Sequence, residues 1–160
     1  MLFRSGEYIR MMTAEEFAAE CGRWVPESWD RDRLSVIVPH LQPRLVTFSD
    51  LEGTVDFLFG PVVVDEASWE KAMSAEFASP LLAATRSAYA GLPDWSAEVL
   101  KETLETVMEP FELKLGKAQA PVRVAVTGRT VGPPLFESLE ALGRAESLDR
   151  IDAALARLSG

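Results

Sequence analysis

Residues 111–137 read FELKLGKAQAPVRVAVTGRTVGPPLFE, from Phe111 to Glu137, and the reading of their middle decides the fold. Val122, Val124 and Val126 alternate with Arg123 and Ala125, a period of two in β-branched residues that by propensity argues for a strand. The same stretch inverts the local charge. Lys114, Lys117, Arg123 and Arg129 stand against only Glu112 until the segment closes at Glu137, in a chain of formal net charge -9 and pI near 4.7. Gly116, Gly128, Gly132 and the pair Pro133-Pro134 fix turns of the backbone, so these cations sit on shaped, partly rigid chain. A shaped basic surface on an acidic protein points to a local anionic partner.

Outward from that stretch, composition sets the bounds. With 160 residues, 48% of them hydrophobic, the chain can bury a real core as one domain or two small lobes. No apolar run approaches the roughly 20 residues needed to span a bilayer, and MLFRSGEYIR lacks the apolar centre of a signal peptide, so the expectation is a cytoplasmic protein without a membrane partner. Cys21 is the only cysteine and His40 the only histidine, which leaves no disulfide and no Cys/His zinc site within one chain. Cys21 reads as a small core residue rather than a reactive thiol. The acidic balance argues against indiscriminate nucleic-acid binding, DNA included, because that attraction comes from phosphate neutralisation by Lys and Arg. It leaves room for a selective reader, since acidic surface elsewhere repels RNA that is out of register.

Most of the chain reads as short helices. Met1 to Arg10 is a leading segment that Tyr8 and Ile9 dock on the core. Thr13 and Glu16 form a capping box for a helix ended by Gly22. Trp24, Pro26 and Trp29 make a loop, and Asp30 caps a helix with Leu34, Ile37, Val38 and Leu41 on one face, kinked by Pro39. A box at Ser49 and Glu52 starts the next helix, which runs to about Phe59. Gly60-Pro61 is the candidate boundary between lobes, with Val62 to Val64 able to hide a short extended segment. Helices then follow from Glu66, from Ser79-Pro80 to Gly91, from the Ser96 cap with Trp95 as a staple on Leu100, from Gly132-Pro133 to Gly143, and over Leu148 to Leu158. The four tryptophans read as core or staple residues, and none lies in the basic stretch.

Catalytic patterns are missing. There is no Ser-His-Asp arrangement, no phosphate-binding glycine loop and no HExxH. Glu15 with Glu16, and Glu102 with Glu105, fall on polar helix faces, where solvation outweighs acid/base work, and His40 has no partner for general-base catalysis. Arg123 is the stronger candidate: its planar fork reaches two acceptors at once, and a salt bridge to an acidic helix is the equal alternative from composition alone. Lys114, Lys117 and Arg129 fit phosphate positioning, which adds affinity but little sequence information.

Three motifs carry a family resemblance. LKLGK (113–117), PVRVAVTGR (121–129) and PPLFESLEALG (133–143) resemble, in that order and at that family's spacing, the C-terminal anticodon-binding region of bacterial glutamyl-tRNA synthetases. GEYIR (6–10) is similar to the segment where that region begins. The resemblance covers nearly the whole chain and is weakest over Leu51 to Leu92. It implies that Val122 to Val126 belong to a helix from Gly116 or Lys117 to Thr127, ended by Gly128. The implied fold is all-α, a helical cage of about eight or nine short helices in two packed lobes, about 11–60 and 65–160.

The resemblance also implies an anticodon site. Arg123 matches an arginine implicated in contacting anticodon bases, and Gly132, Pro133 and Leu135 match a segment whose N–H groups and apolar surface meet the anticodon nucleotides. Family members often carry Ser or Thr at the position of Gly132. Gln42 and Arg44 flank the proline Pro43; the position of Gln42 is Arg in many members restricted to glutamate tRNA. Arginine offers donors only, whereas glutamine offers donor and acceptor and tolerates guanine at the third anticodon base, so glutamine tRNA becomes a second candidate partner; the alternative is that Gln42 only caps or packs near the kink. In the intact family an upstream catalytic domain carries out ATP-dependent ligation of glutamate to tRNA with Mg2+. Neither of its ATP-site signatures occurs here, so the expectation is a binding region without cofactors of its own, inactive alone and partnered by that domain and by tRNA. The alternatives are a free-standing RNA-binding or regulatory paralogue and an acidic helical protein-interaction module.

Overall fold

The computed structural model describes residues 5–160, and every regular element among them is helical. Ten α-helices follow one another: α1 (Ser5–Met11), α2 (Ala14–Cys21), α3 (Arg31–Ile37), α4 (Leu51–Val55), α5 (Glu66–Met73), α6 (Ala78–Ala90), α7 (Ala97–Met108), α8 (Leu115–Thr127), α9 (Leu135–Leu142) and α10 (Arg144–Ser159). The all-α expectation holds, and the leading segment adds a helix, α1, that the sequence did not announce; its residues 1–4 lie outside the described residues. Ile9 docks α1 on the core, but Tyr8 points to solvent, because on so short a helix adjacent positions lie about 100° apart.

Caps were read accurately where side-chain chemistry is local. Thr13 Oγ1 accepts from the Glu16 N–H while Glu16 Oε1 accepts from the Thr13 N–H, and Asp30 and Ser96 cap α3 and α7. Proline-bearing boundaries moved. Pro39 does not kink a continuing helix: α3 stops at Ile37 and passes into a 3-10 turn over Val38–His40, since Pro39 has no N–H for the helical ladder. Ser49 does not cap; a 3-10 turn over Phe48–Asp50 precedes α4 and the Ser49 hydroxyl pairs with Thr47 Oγ1. Helix α6 starts ahead of Ser79, with Phe77 at its cap position and Pro80 within the first turn, where a missing N–H costs no ladder bond.

The contested stretch is a helix. In α8, Val122, Val124, Ala125 and Val126 are all buried, so the valine alternation is not an in-and-out pattern; a helix buried nearly all round uses β-branched residues on every side. It packs against α5, α6, α7, α9 and α10 and is the central element of the fold. Gly128 ends it at φ 83°, and a Cβ there would fall 2.3 Å from the Val63 carbonyl oxygen. Only glycine lets the linker 61–65 pass so close, and the Asp65 N–H closes the contact on the Gly128 carbonyl. Val62 to Val64 therefore form irregular linker backbone against a helix end, not a strand.

One contiguous core runs from Ile9 to Ala154. Cys21 lies fully inside it, its thiol pushed up to about 12 by burial and then by the Glu20 charge, which keeps it protonated and inert. The four tryptophans all have partners within the chain: Trp29 stacks on Phe59 at 4.1 Å, Trp24 on Phe48 at 6.0 Å, Trp69 lies under Arg157, and the Trp95 Nε1 donates to the Leu139 carbonyl.

A polar seam crosses the apolar core. Arg33 donates to the carbonyls of Leu58 (2.6 Å) and Leu142 (3.3 Å), and Arg150 to those of Val126 (2.7 Å) and Gly60 (2.9 Å). Glu146 lies between them and pairs with both guanidinium groups. This seam joins α3, the end of α4's following turn, the C-terminal end of α8, α9 and α10 through backbone carbonyls that helix ends leave without partners.

Candidate nucleic-acid interface

The interface begins with a tight turn. The N–H groups of Arg44 and Leu45 both bond to the Leu41 carbonyl, which buries Leu41 and Leu45 and leaves Arg44 exposed. Across from it, residues 129–134 leave α8 and return to α9. Helix α9 starts at Leu135 with Pro134 at the cap position, two residues later than Gly132-Pro133 suggested. A residue followed by proline is driven out of the α region, so Pro133 cannot be helical while Pro134 follows it. Gly132 and Pro133 are thus loop rather than helix N-terminus.

This loop and the turn enclose a cleft of about 730 Å³, walled by Leu41, Arg44, Val46, Asp50, Gly132 and Pro133, among others. Two arginines grip the loop. Arg44 Nη1 donates to the Gly132 carbonyl at 3.2 Å, and Arg123 Nη1, reaching out from α8, donates to the Pro133 carbonyl at 2.6 Å. Burial first, and the neighbouring Arg44 charge second, hold the Arg123 guanidinium below its ordinary value. The equal alternative for Arg123, a salt bridge to an acidic helix, does not form among the described residues: its guanidinium donates to a backbone carbonyl instead.

The structure thus brings Arg44, Arg123, Gly132 and Pro133 together. Gln42 lies on the adjoining turn but faces α1, where its Nε2 donates to the carbonyls of Ile9 (2.9 Å) and Met12 (2.8 Å). Leu135 is only 1% exposed, inside the core. Lys114 and Lys117 are exposed at the N-terminal end of α8, about 13 Å and about 9 Å along the axis from Arg123 at about 1.5 Å per residue. Arg129 is tied down by the Gly53 carbonyl and an ion pair with Asp56 at 3.0 Å.

Sequence reasoning missed Arg33, Glu146 and Arg150, which wall a second cavity of about 1010 Å³ with Trp29 and Trp69. The i, i+4 spacing of Glu146 and Arg150 was the available signal. Among the described residues no group of three or more His, Cys, Asp or Glu side chains gathers that could hold a metal ion. None of the described helices is long and apolar enough to cross a membrane.

The family described as anticodon binding domain matches residues 13–155. The chain belongs to this family. Its similarity to glutamate–tRNA ligases is closer still: it is 50% identical to that of Streptomyces coelicolor over 165 residues, covering 97% of the chain and 33% of the relative. With the ligase of Salinispora arenicola the identity is 46% over 167 residues, covering 96% of the chain and 35% of the relative. The crystal structure of a glutamate tRNA ligase from Elizabethkingia meningosepticum superposes with a TM-score of 0.83 at 25% identity, over 96% of this chain and 31% of that one. This anticodon-binding domain therefore spans about a third of the length of the curated relatives it matches, and corresponds to their C-terminal region.

Proposed function

We propose that this domain reads the anticodon of glutamate tRNA as the C-terminal part of a glutamate–tRNA ligase, in the cytoplasm, beside a catalytic domain that performs the ATP- and Mg2+-dependent ligation. The observation that carries this reading is the cleft walled by Arg44, Gly132 and Pro133, whose loop Arg44 and Arg123 both hold through its carbonyls, in a chain belonging to the anticodon-binding domain family. Its walls come from the 41–54 segment and from the loop before α9. Unstacked bases enter such a site and are selected by hydrogen bonds to their edges. Lys114 and Lys117 extend the basic surface along α8 for the RNA backbone, and Arg129 shapes the loop from its far side. Leu135 supports the loop from within the core.

Glutamine tRNA is the second substrate of this reading. Both amide hydrogens of Gln42 are occupied by the carbonyls of Ile9 in α1 and of Met12 just past it, which leaves its Oε1 as an acceptor. An acceptor suits the N1–H and N2–H donors on the Watson–Crick edge of guanine and the N4–H donor of cytosine, so a guanine at the third anticodon position is accepted along with cytosine. Fluorescence anisotropy with glutamate tRNA, glutamine tRNA and an anticodon-scrambled control, at two salt concentrations, tests both parts. Binding of the first two but not the control, weakened by Arg123→Ala, is expected. Preference for glutamate tRNA alone would remove the relaxed specificity and keep the anticodon reader. Equal weak binding of all three, or none, would turn the reading toward the interaction module.

A further inference from the structure

We propose that Arg129 is a positioning residue that sets the spacing between the two walls of the cleft from outside it, an inference that rests on the anticodon-reader function. One wall comes from residues 41–54, Gly53 and Thr54 of α4 included, and the other from Gly132 and Pro133. Arg129 stands three residues ahead of Gly132 and bonds across to the first wall. Its Nη1 donates to the Gly53 carbonyl at 2.8 Å, and its Nη2 pairs with Asp56 at 3.0 Å. The guanidinium carbon lies 5.9 Å from the centre of the Phe57 ring. This side chain is not in the cleft: with Phe57 and Thr127 it lines a separate cavity of about 570 Å³.

Both ends of this tie are anchored. Helix α4 has only 5 residues before the chain tightens into a 3-10 turn over Asp56–Leu58, so its last carbonyls lie where a helix runs out of amide partners. Arg129 supplies the donor, and its charge suits the carbonyl end of a helix. At the other end the Arg129 N–H donates to the Thr127 hydroxyl at 3.2 Å, and that buried hydroxyl reaches the Arg123 carbonyl at 2.8 Å. Gly128, between them, is held by the close passage of the Val63 carbonyl. The distance between the end of α8 and the end of α4 is thus the span of one side chain. A planar fork on two acceptors resists rotation as well as sliding, which a single bond does not. Walls that keep their spacing before RNA arrives save an ordering cost on binding, and they do not widen to admit a wrong base. Phosphate contact, which charge alone suggests for Arg129, meets an obstacle: Asp56 already occupies the guanidinium, and its carboxylate repels RNA.

The test measures the affinity of the whole chain for the anticodon stem-loop of glutamate tRNA and for the same stem-loop with a scrambled anticodon, across a salt series. For Arg129→Met the ratio of the two affinities should fall about fivefold, through weaker binding of the glutamate loop, at an unchanged salt slope. Arg129→Lys keeps the charge but not the fork, so it should restore less than half of that loss. Asp56→Ala decides most sharply, because the two roles predict opposite signs. Removing the far anchor should weaken the glutamate loop and lower the ratio, whereas removing a carboxylate beside a phosphate contact would tighten both RNAs alike. Uniform tightening by Asp56→Ala, a salt slope lowered by about 1 in Arg129→Met, or an unchanged ratio in both variants would overturn the positioning role and leave the reader standing. If the unsubstituted domain does not separate the two loops, the reader itself fails and the positioning role with it. Unfolding midpoints separate a loss of binding from a loss of fold. Should Arg129→Met not fold, Arg129→Lys and Asp56→Ala, each of which keeps part of the tie, decide the matter.

Discussion

Two arginine pairs in this domain use the same local chemistry for opposite ends. Arg33 and Arg150 hold the carbonyls of Leu58, Leu142, Val126 and Gly60; Arg44 and Arg123 hold those of Gly132 and Pro133. In the first pair Glu146 stands between the guanidinium groups, and Arg150 is 8% exposed. In the second no carboxylate bridge forms among the described residues, and Arg44 lines a cleft. The chain carries 25 Asp and Glu residues against 16 Lys and Arg, so acids to fill that gap are not scarce. A carboxylate between two arginines makes an internal tie. Without one, two like charges stand near each other with no internal partner between them, and this is the difference between the pairs that the substitutions below test.

The largest effect should come from breaking the compensated pair. Arg150→Met removes a buried cation, leaves the Val126 and Gly60 carbonyls without donors and strands Glu146 beside Arg33 alone; urea unfolding should show a loss of about 3 kcal/mol. A loss below about 0.5 kcal/mol would mean that the seam is decoration and the contrast with the cleft is empty. Glu146→Gln sharpens the comparison by converting the first pair into a likeness of the second. The hydrogen bonds can persist but the bridging charge is gone, so a smaller loss of about 1 to 2 kcal/mol is expected. Added sulfate should then restore more stability to this variant than to the unsubstituted domain, because an anion can take the place of the carboxylate. Equal salt responses would show that the negative charge of Glu146 is not what distinguishes the pairs.

This contrast was only partly legible in the sequence. Helix caps were, because Thr13 with Glu16, Asp30 and Ser96 make bonds across two or three residues. So was the basic stretch, since Arg123 and the Gly132-Pro133 loop are neighbours in sequence. The helical state of Val122 to Val126 was not legible from the residues, because period-two valines suit a strand unless every side is buried, and only the surrounding helices decide that. The start of α9 was misplaced because the restriction that Pro134 puts on Pro133 was outweighed by the preference of proline for a first helical turn. The seam stayed hidden for another reason: Arg33 and Glu146 are 113 residues apart, and no local pattern announces a bond that the packing of α3 against α9 and α10 creates.

The smallest effect, and the most discriminating, concerns the fold stability of the second pair. Arg123 is half-buried and makes a short bond to the Pro133 carbonyl, so Arg123→Ala should cost about 1 kcal/mol. Arg44 is exposed, and its bond to Gly132 is longer. Losing that bond destabilises slightly, yet losing the charge also frees Arg123 from a like neighbour, so the two changes oppose each other. Arg44→Ala should therefore shift stability by no more than about 0.5 kcal/mol, and at low salt the relief of repulsion should dominate. Raising the ionic strength to about 0.1 M, where the screening length is about 10 Å, should shrink that relief and move the variant toward a small net loss. A stabilisation that fades with salt is the signature of an uncompensated pair. If Arg44→Ala instead lowers the unfolding midpoint as far as Arg123→Ala at every salt concentration, Arg44 is a structural tie like Arg150 and the cleft holds no charge in reserve for RNA.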